Sequence, residues 1–176
     1  MNKEKIDIAE EEVNDTYMYL ADAVKEITKP ITEKLDNIVK ELSKGINLFT
    51  NAQLWDFQML ISIEAYNMGV IKEQTSLKQS CAEALYKESI ATSYSLSSGT
   101  QEAKKQQSII DTVDKQAVNM LWSAVTNTLK TKCDEAHRLV NAIQNIQISR
   151  AAEAKQFGSP RSEVDNINFN GQGDSE

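Results

Sequence analysis

The chain has 176 residues, 40% hydrophobic and 26% charged, which is enough for one domain with a buried core. Two prolines and six glycines are too few turn residues for an all-β fold, and such scarcity is what long helices require. The 26 acidic residues outnumber 19 scattered basic ones, for a net charge of −7; this argues against the concentrated Lys/Arg surface that nucleic acid or an anionic membrane calls for, without excluding a local basic patch.

In chain order, the first helix reads from Ile6. Ile6, Ala9, Val13, Tyr17, Leu20, Val24 and Ile27 recur every three or four residues, one face of a helix. The acidic run Glu10–Glu12 lies mostly off that stripe, where it suits the helix N-terminus. Pro30 keeps the phase, since Ile31, Leu35, Ile38, Leu42, Ile46 and Phe49 continue the stripe; a break, or a kink between nearly collinear halves, is expected there. Gly45 should end the regular helix, with Asn51 capping the next.

Leu54–Ile71 is the most apolar stretch, and its large side chains cover nearly the whole circumference. A helix apolar all round must be enclosed by its own chain or by partners. Thr75–Thr100 is rich in Ser, Ala and Thr, and small residues let another backbone come close. Ser97-Ser98-Gly99 is a turn, or else a small-residue patch in a continuous helix.

A further helix is expected from Gln101. Ile110, Val113, Ala117, Met120 and Ala124 form one face, with Leu121, Val125 and Leu129 beside it. Leu129, Cys133, Ala136, Val140 and Ile143 then make a heptad-like seam. No Gly or Pro occurs from Ile109 to Ala154, so residues 101–156 form either one long helix or a hairpin. The last stretch, 157–176, gathers glycines, Pro160 and polar residues, and reads as a flexible polar tail after a helical domain at 1–156.

Chemistry finds few parts to work with. His137 is the sole histidine; Cys133 lies four residues before it, but a metal site needs three or four ligands and no matching cluster is visible. Cys81 and Cys133 read as two small buried hydrophobes, with a disulfide or reactive thiol the alternative. No GxSxG, Gly-rich phosphate cradle or ExxH pair appears. The expectation is therefore no enzyme, no cofactor and no metal. Met1–Glu12 is too charged for a signal peptide and no apolar run is long enough to span a membrane, so a cytoplasmic setting is expected. Insertion of Leu54–Ile71 into lipid would also carry Asp56 and Glu64 with it.

One stretch resembles a known family. Leu85-Tyr86, the segment SIATSYSLSSGTQEA, Gln106-Gln107 and the run Gln116–Ser123 (QAVNMLWS) are similar to the R-body (killing-trait) proteins, in which an aromatic pair near a small-residue helix is followed by a glutamine cluster and an aliphatic-aromatic-Ser close. The resemblance spans residues 85–123, and it implies a structural subunit of a cytoplasmic ribbon that coils into a cylinder and extends when acidified.

The expected fold is all-α: long amphipathic helices forming an antiparallel bundle or an extended helical hairpin. The expected work is packing against copies of itself or other helical proteins, through Leu54, Trp55, Phe57, Ile61, Met68, Leu129, Val140 and Ile143. The alternative is an acidic adaptor or chaperone-like regulator of a partner protein.

Overall fold

The computed structural model describes the backbone of residues 3–157 and the side chains of residues 14–155. Among these the chain forms four helices and no strand: α1 (Lys3–Leu42), α2 (Asn51–Leu96), α3 (Gln101–Ile110) and α4 (Val113–Phe157). The architecture is all-α. Of the expected polar tail only Phe157 is described, as the last residue of α4; the rest lies outside the described residues.

α1 runs unbroken through Pro30. Of the two outcomes expected there, the break does not occur: Pro30 lies exposed within one continuous helix. Its inner face is Thr28, Thr32, Leu35 and Leu42, with Ile31 and Ile38 beside them. The two buried hydroxyls are satisfied locally, Thr28 Oγ1 donating to Val24 O at 2.9 Å and Thr32 Oγ1 to Asp36 Oδ2 at 3.0 Å. Tyr17, read as part of the inward stripe, instead faces outward.

The α1–α2 turn is built around Gly45, whose φ of 132° is a conformation open to glycine and costly for other residues, followed by a 3-10 turn at Ile46–Leu48. Thr50, one residue earlier than expected, caps α2. Its Oγ1 accepts from Gln53 N at 3.2 Å while Gln53 Oε1 accepts from Thr50 N at 2.9 Å, a reciprocal capping box. Asn51 is instead the first helical residue.

α2 and α4, of 46 and 45 residues, are each about 70 Å long at 1.5 Å per residue and lie antiparallel. Their order is read from contacts along the pair. Gln147 Nε2 donates to Asn51 O at 3.2 Å, Cys133 Sγ to Ala65 O at 3.9 Å, and Lys78 Nζ sits 4.4 Å from the Trp122 ring centroid. Lys115 Nζ donates to Ser89 Oγ. The hairpin turns at Ser97–Thr100, with Gly99 at a φ of 110°.

Residues 101–156 are thus one arm of a hairpin, and the arm is interrupted. α3 ends at Asp111–Thr112, where Thr112 Oγ1 donates to Ser108 O at 2.7 Å and Thr112 N bonds Ile109 O at 3.2 Å. Beyond this interruption α4 continues along α2, as Ser93 Oγ donating to Asp111 Oδ2 at 2.6 Å requires.

The second half of α1 lies over the end of the hairpin away from the turn. Leu35 and Leu42 join Leu54, Ile61, Ala65, Met68, Cys133, Ala136 and Ile143 in one core cluster. Burial of a large apolar side chain there contributes about 1.5–3 kcal/mol. Charge contacts ring it: Lys132 Nζ to Asp36 Oδ1 at 3.0 Å and Lys34 Nζ to Glu64 Oε1 at 3.4 Å. Arg150 ties α4 to the α1–α2 turn, donating to Phe49 O at 2.8 Å, Asn51 Oδ1 at 3.2 Å and Ile46 O at 3.3 Å.

Candidate interaction surface

Along α2 the buried positions Leu54, Ile61, Met68, Thr75 and Ala82 recur every seven residues. On α4 the same interval links Leu129, Ala136 and Ile143, with Cys133 and the half-buried Val140 between them. These are the two sides of an antiparallel coiled-coil seam. Its quality falls toward the hairpin turn: large aliphatics near Leu54 give way to Thr75 and Ala82, and Ser108 and Thr112 are the buried residues at the turn end of the other arm.

Of the eight residues singled out for contact with other chains, Leu54, Ile61, Met68, Leu129 and Ile143 are wholly enclosed here. The seams they belong to find each other within one chain, so these five side chains are closed to a second protein. Phe57 and Val140 line the edge of the core, Phe57 meeting Phe49 edge-on with ring centroids 5.1 Å apart. Trp55 alone of the eight is open to solvent, at 57% exposure.

Trp55 does not stand alone. Met59, Ile63, Tyr66, Val70 and Leu77 are exposed with it, Tyr66 by 72% and Leu77 by 67%. At 100° per residue these six fall on one side of α2, opposite Leu54, Ile61 and Met68. The helix has two apolar faces, one spent on the intramolecular seam and one turned outward. Composition displays both at once as an all-round apolar helix; the separation shows only when Ile63–Val70–Leu77 is recognised as a second seven-residue series interleaved with the first.

A comparable reversal occurs toward the turn. Ile110, Val113 and Met120 are exposed, and the interruption at Asp111–Thr112 separates the first from the other two, which lie seven residues apart on one face of α4; Val125 and Leu129 supply the buried row. Leu85, Leu96 and Ile109 are exposed as well.

Burial pushes the Cys133 thiol above its ordinary value, a direction that disfavours the thiolate needed for attack or ligation. His137 is exposed, and among the described residues no group of three or more His, Cys, Asp or Glu could hold a metal ion. Cys81, expected inside, is exposed, because the seam residue at this level is its neighbour Ala82. Near the turn an open groove of about 560 Å³ lies among Leu85, Ser89, Leu96, Asp111 and Lys115. Asp111 accepts from Ser93 and Gln107 there, and these bonds hold its carboxyl below the usual carboxylate value. Lys115 is occupied by Ser89. Among the described residues no helix is long and apolar enough to cross a membrane.

Compared with protein-family models, curated proteins and solved structures, the chain finds no match.

Proposed function

We propose that the protein is a non-catalytic structural component that acts by packing its helices against other protein chains, copies of itself foremost, in the cytoplasm. The observation that carries this reading is the outward apolar face of α2, which includes a tryptophan, a tyrosine and a methionine, residue types enriched at interface cores. A lone monomer gains nothing from leaving such a row in water. The exposed face of α4 at Val113 and Met120 supplies a second contact region, and two different regions on one rod are what an open array uses. Elongated helices with apolar sides pack laterally into ribbons, so the resemblance of residues 85–123 to R-body proteins fits the same reading in a finer form.

The test is the mass of the full chain by light scattering across concentration, with electron microscopy at neutral and acidic pH. Species heavier than the single chain of 19.7 kDa are expected, and ribbons that change length with pH would carry the finer form. A chain that stays monomeric at high concentration overturns the proposal.

A further inference from the structure

Resting on that reading and going beyond it, we infer that the partner at the outer face of α2 is a second copy of this chain, bound antiparallel through the same face about a two-fold axis near Val70. Four observations point there.

The first is extent. With Val70 opposite its own copy, Ile63 meets the second copy's Leu77, Met59 meets Cys81, and Trp55 meets Leu85. Each pair joins exposed residues of α2. The paired length, Trp55 to Leu85, is about 45 Å at 1.5 Å per residue. A strip roughly 10 Å wide over that length, counted on both copies, covers about 900 Å², the size of a weak, reversible association.

The second is charge. The molecule carries −7 overall, yet only Asp56, seven residues before Ile63, and Glu73, paired with Lys72 at 2.9 Å, stand among the apolar members of the row. A basic partner would find little to hold on this face; a neutral apolar one fits. A second copy has that face by construction.

The third fixes direction. A parallel, in-register pair would place Glu73 against Glu73 and Asp56 against Asp56 in a partly dry contact, which is repulsive. The antiparallel pair moves each Glu73 opposite Asn67 and each Asp56 opposite Ala84, keeping like charges apart.

The fourth is Gly69. Glycine inside a helix costs about 0.5–1 kcal/mol relative to alanine, and nothing in this chain requires it: a Cβ built there meets no atom within 4 Å. Gly69 flanks the proposed axis. There it lets two backbones approach closely, and an open hollow of about 440 Å³ beside it, lined by Ala65, Tyr66 and His137, admits side chains from the other copy.

Disulfide trapping on the full chain tests the register. Val70→Cys in a Cys81→Ser background should give an interchain disulfide under mild oxidation. Met59→Cys should cross-link to the native Cys81 of the other copy and lose that link when Cys81 is also changed to Ser. Ile63→Asp with Val70→Glu, both at exposed sites, should keep the helical circular dichroism and weaken association at least tenfold. A wild type heavier than one chain, with no Val70→Cys cross-link and no response to the charged pair, overturns this interface while the structural reading stands. A monomeric wild type overturns both, whether the row is then covered by residues beyond Phe157 or by a different protein.

Discussion

Ile61 and Ile63 stand two positions apart in α2 and differ completely in their surroundings, the first fully enclosed between helices and the second half exposed. Deleting atoms at Ile61 leaves a void in the core cluster it shares with Ala65, Met68 and Ala136. Ile61→Ala should therefore cost about 2–5 kcal/mol in urea unfolding. Ile63→Ala, measured in solution dilute enough to dissociate any assembly, should change stability by no more than about 0.5 kcal/mol. Equal losses at the two positions would contradict the assignment of one face to the core and the other to solvent. Cys133 belongs with Ile61: its thiol, buried and held against Ala65 O, sits where a larger residue would push the two arms apart.

At the scale of elements, the interruption between α3 and α4 depends on side chains whose type is common in uninterrupted helices. Asp111 accepts from Ser93 across the hairpin and from Gln107 on its own helix, and both bonds favour the ionised form, which lowers its pKa. A carboxyl lowered in the folded state contributes stability that is present above its unfolded value. That contribution is lost as pH falls through the folded value, in a window below about pH 4. Protection factors for hydrogen exchange at the turn end of the hairpin should thus fall on acidification through that window, and Asp111→Ala should flatten the dependence; equal acid sensitivity in the variant would show that Asp111 is not its source. The long helices, the turn at Ser97–Gly99 and the end of α1 near Gly45 were legible because apolar spacing and glycine mark them directly. The break at Asp111–Thr112 was not, since no Gly or Pro announces it and its cause is a contact with α2. Pro30 left a break and a continuous kinked helix both open, and the helix is continuous there, with Thr28, Thr32 and Leu35 packed on either side of the proline. The interaction surface was half legible. The abundance of apolar residues in Leu54–Ile71 was plain, but which of them the chain itself encloses depends on where α4 and α1 lie.

For the whole molecule, the decisive property is that internal packing is strongest at one end of the rod. Near Leu54 three helices share a core, while around Thr75 and Ala82 the inner seam is made of small side chains and many large ones face out. The far part of the hairpin is therefore held by little of its own apolar burial, and association would add burial where the single chain has least. Gly69 separates the interests of the single chain from those of an assembly. For one chain alone, Gly69→Ala removes a flexible residue from the middle of a 46-residue helix and introduces a methyl group into open space, so the variant should gain about 0.5–1 kcal/mol in dilute solution. In a pair of chains crossing at this point the same methyl group prevents close approach, and overpacked contacts are destabilising. The expected outcome is a variant that melts higher as a monomer but associates more weakly, measured by urea unfolding at low concentration and light scattering at high concentration. A variant that gained on both counts would show that no second backbone comes near Gly69, and the glycine would then need another explanation.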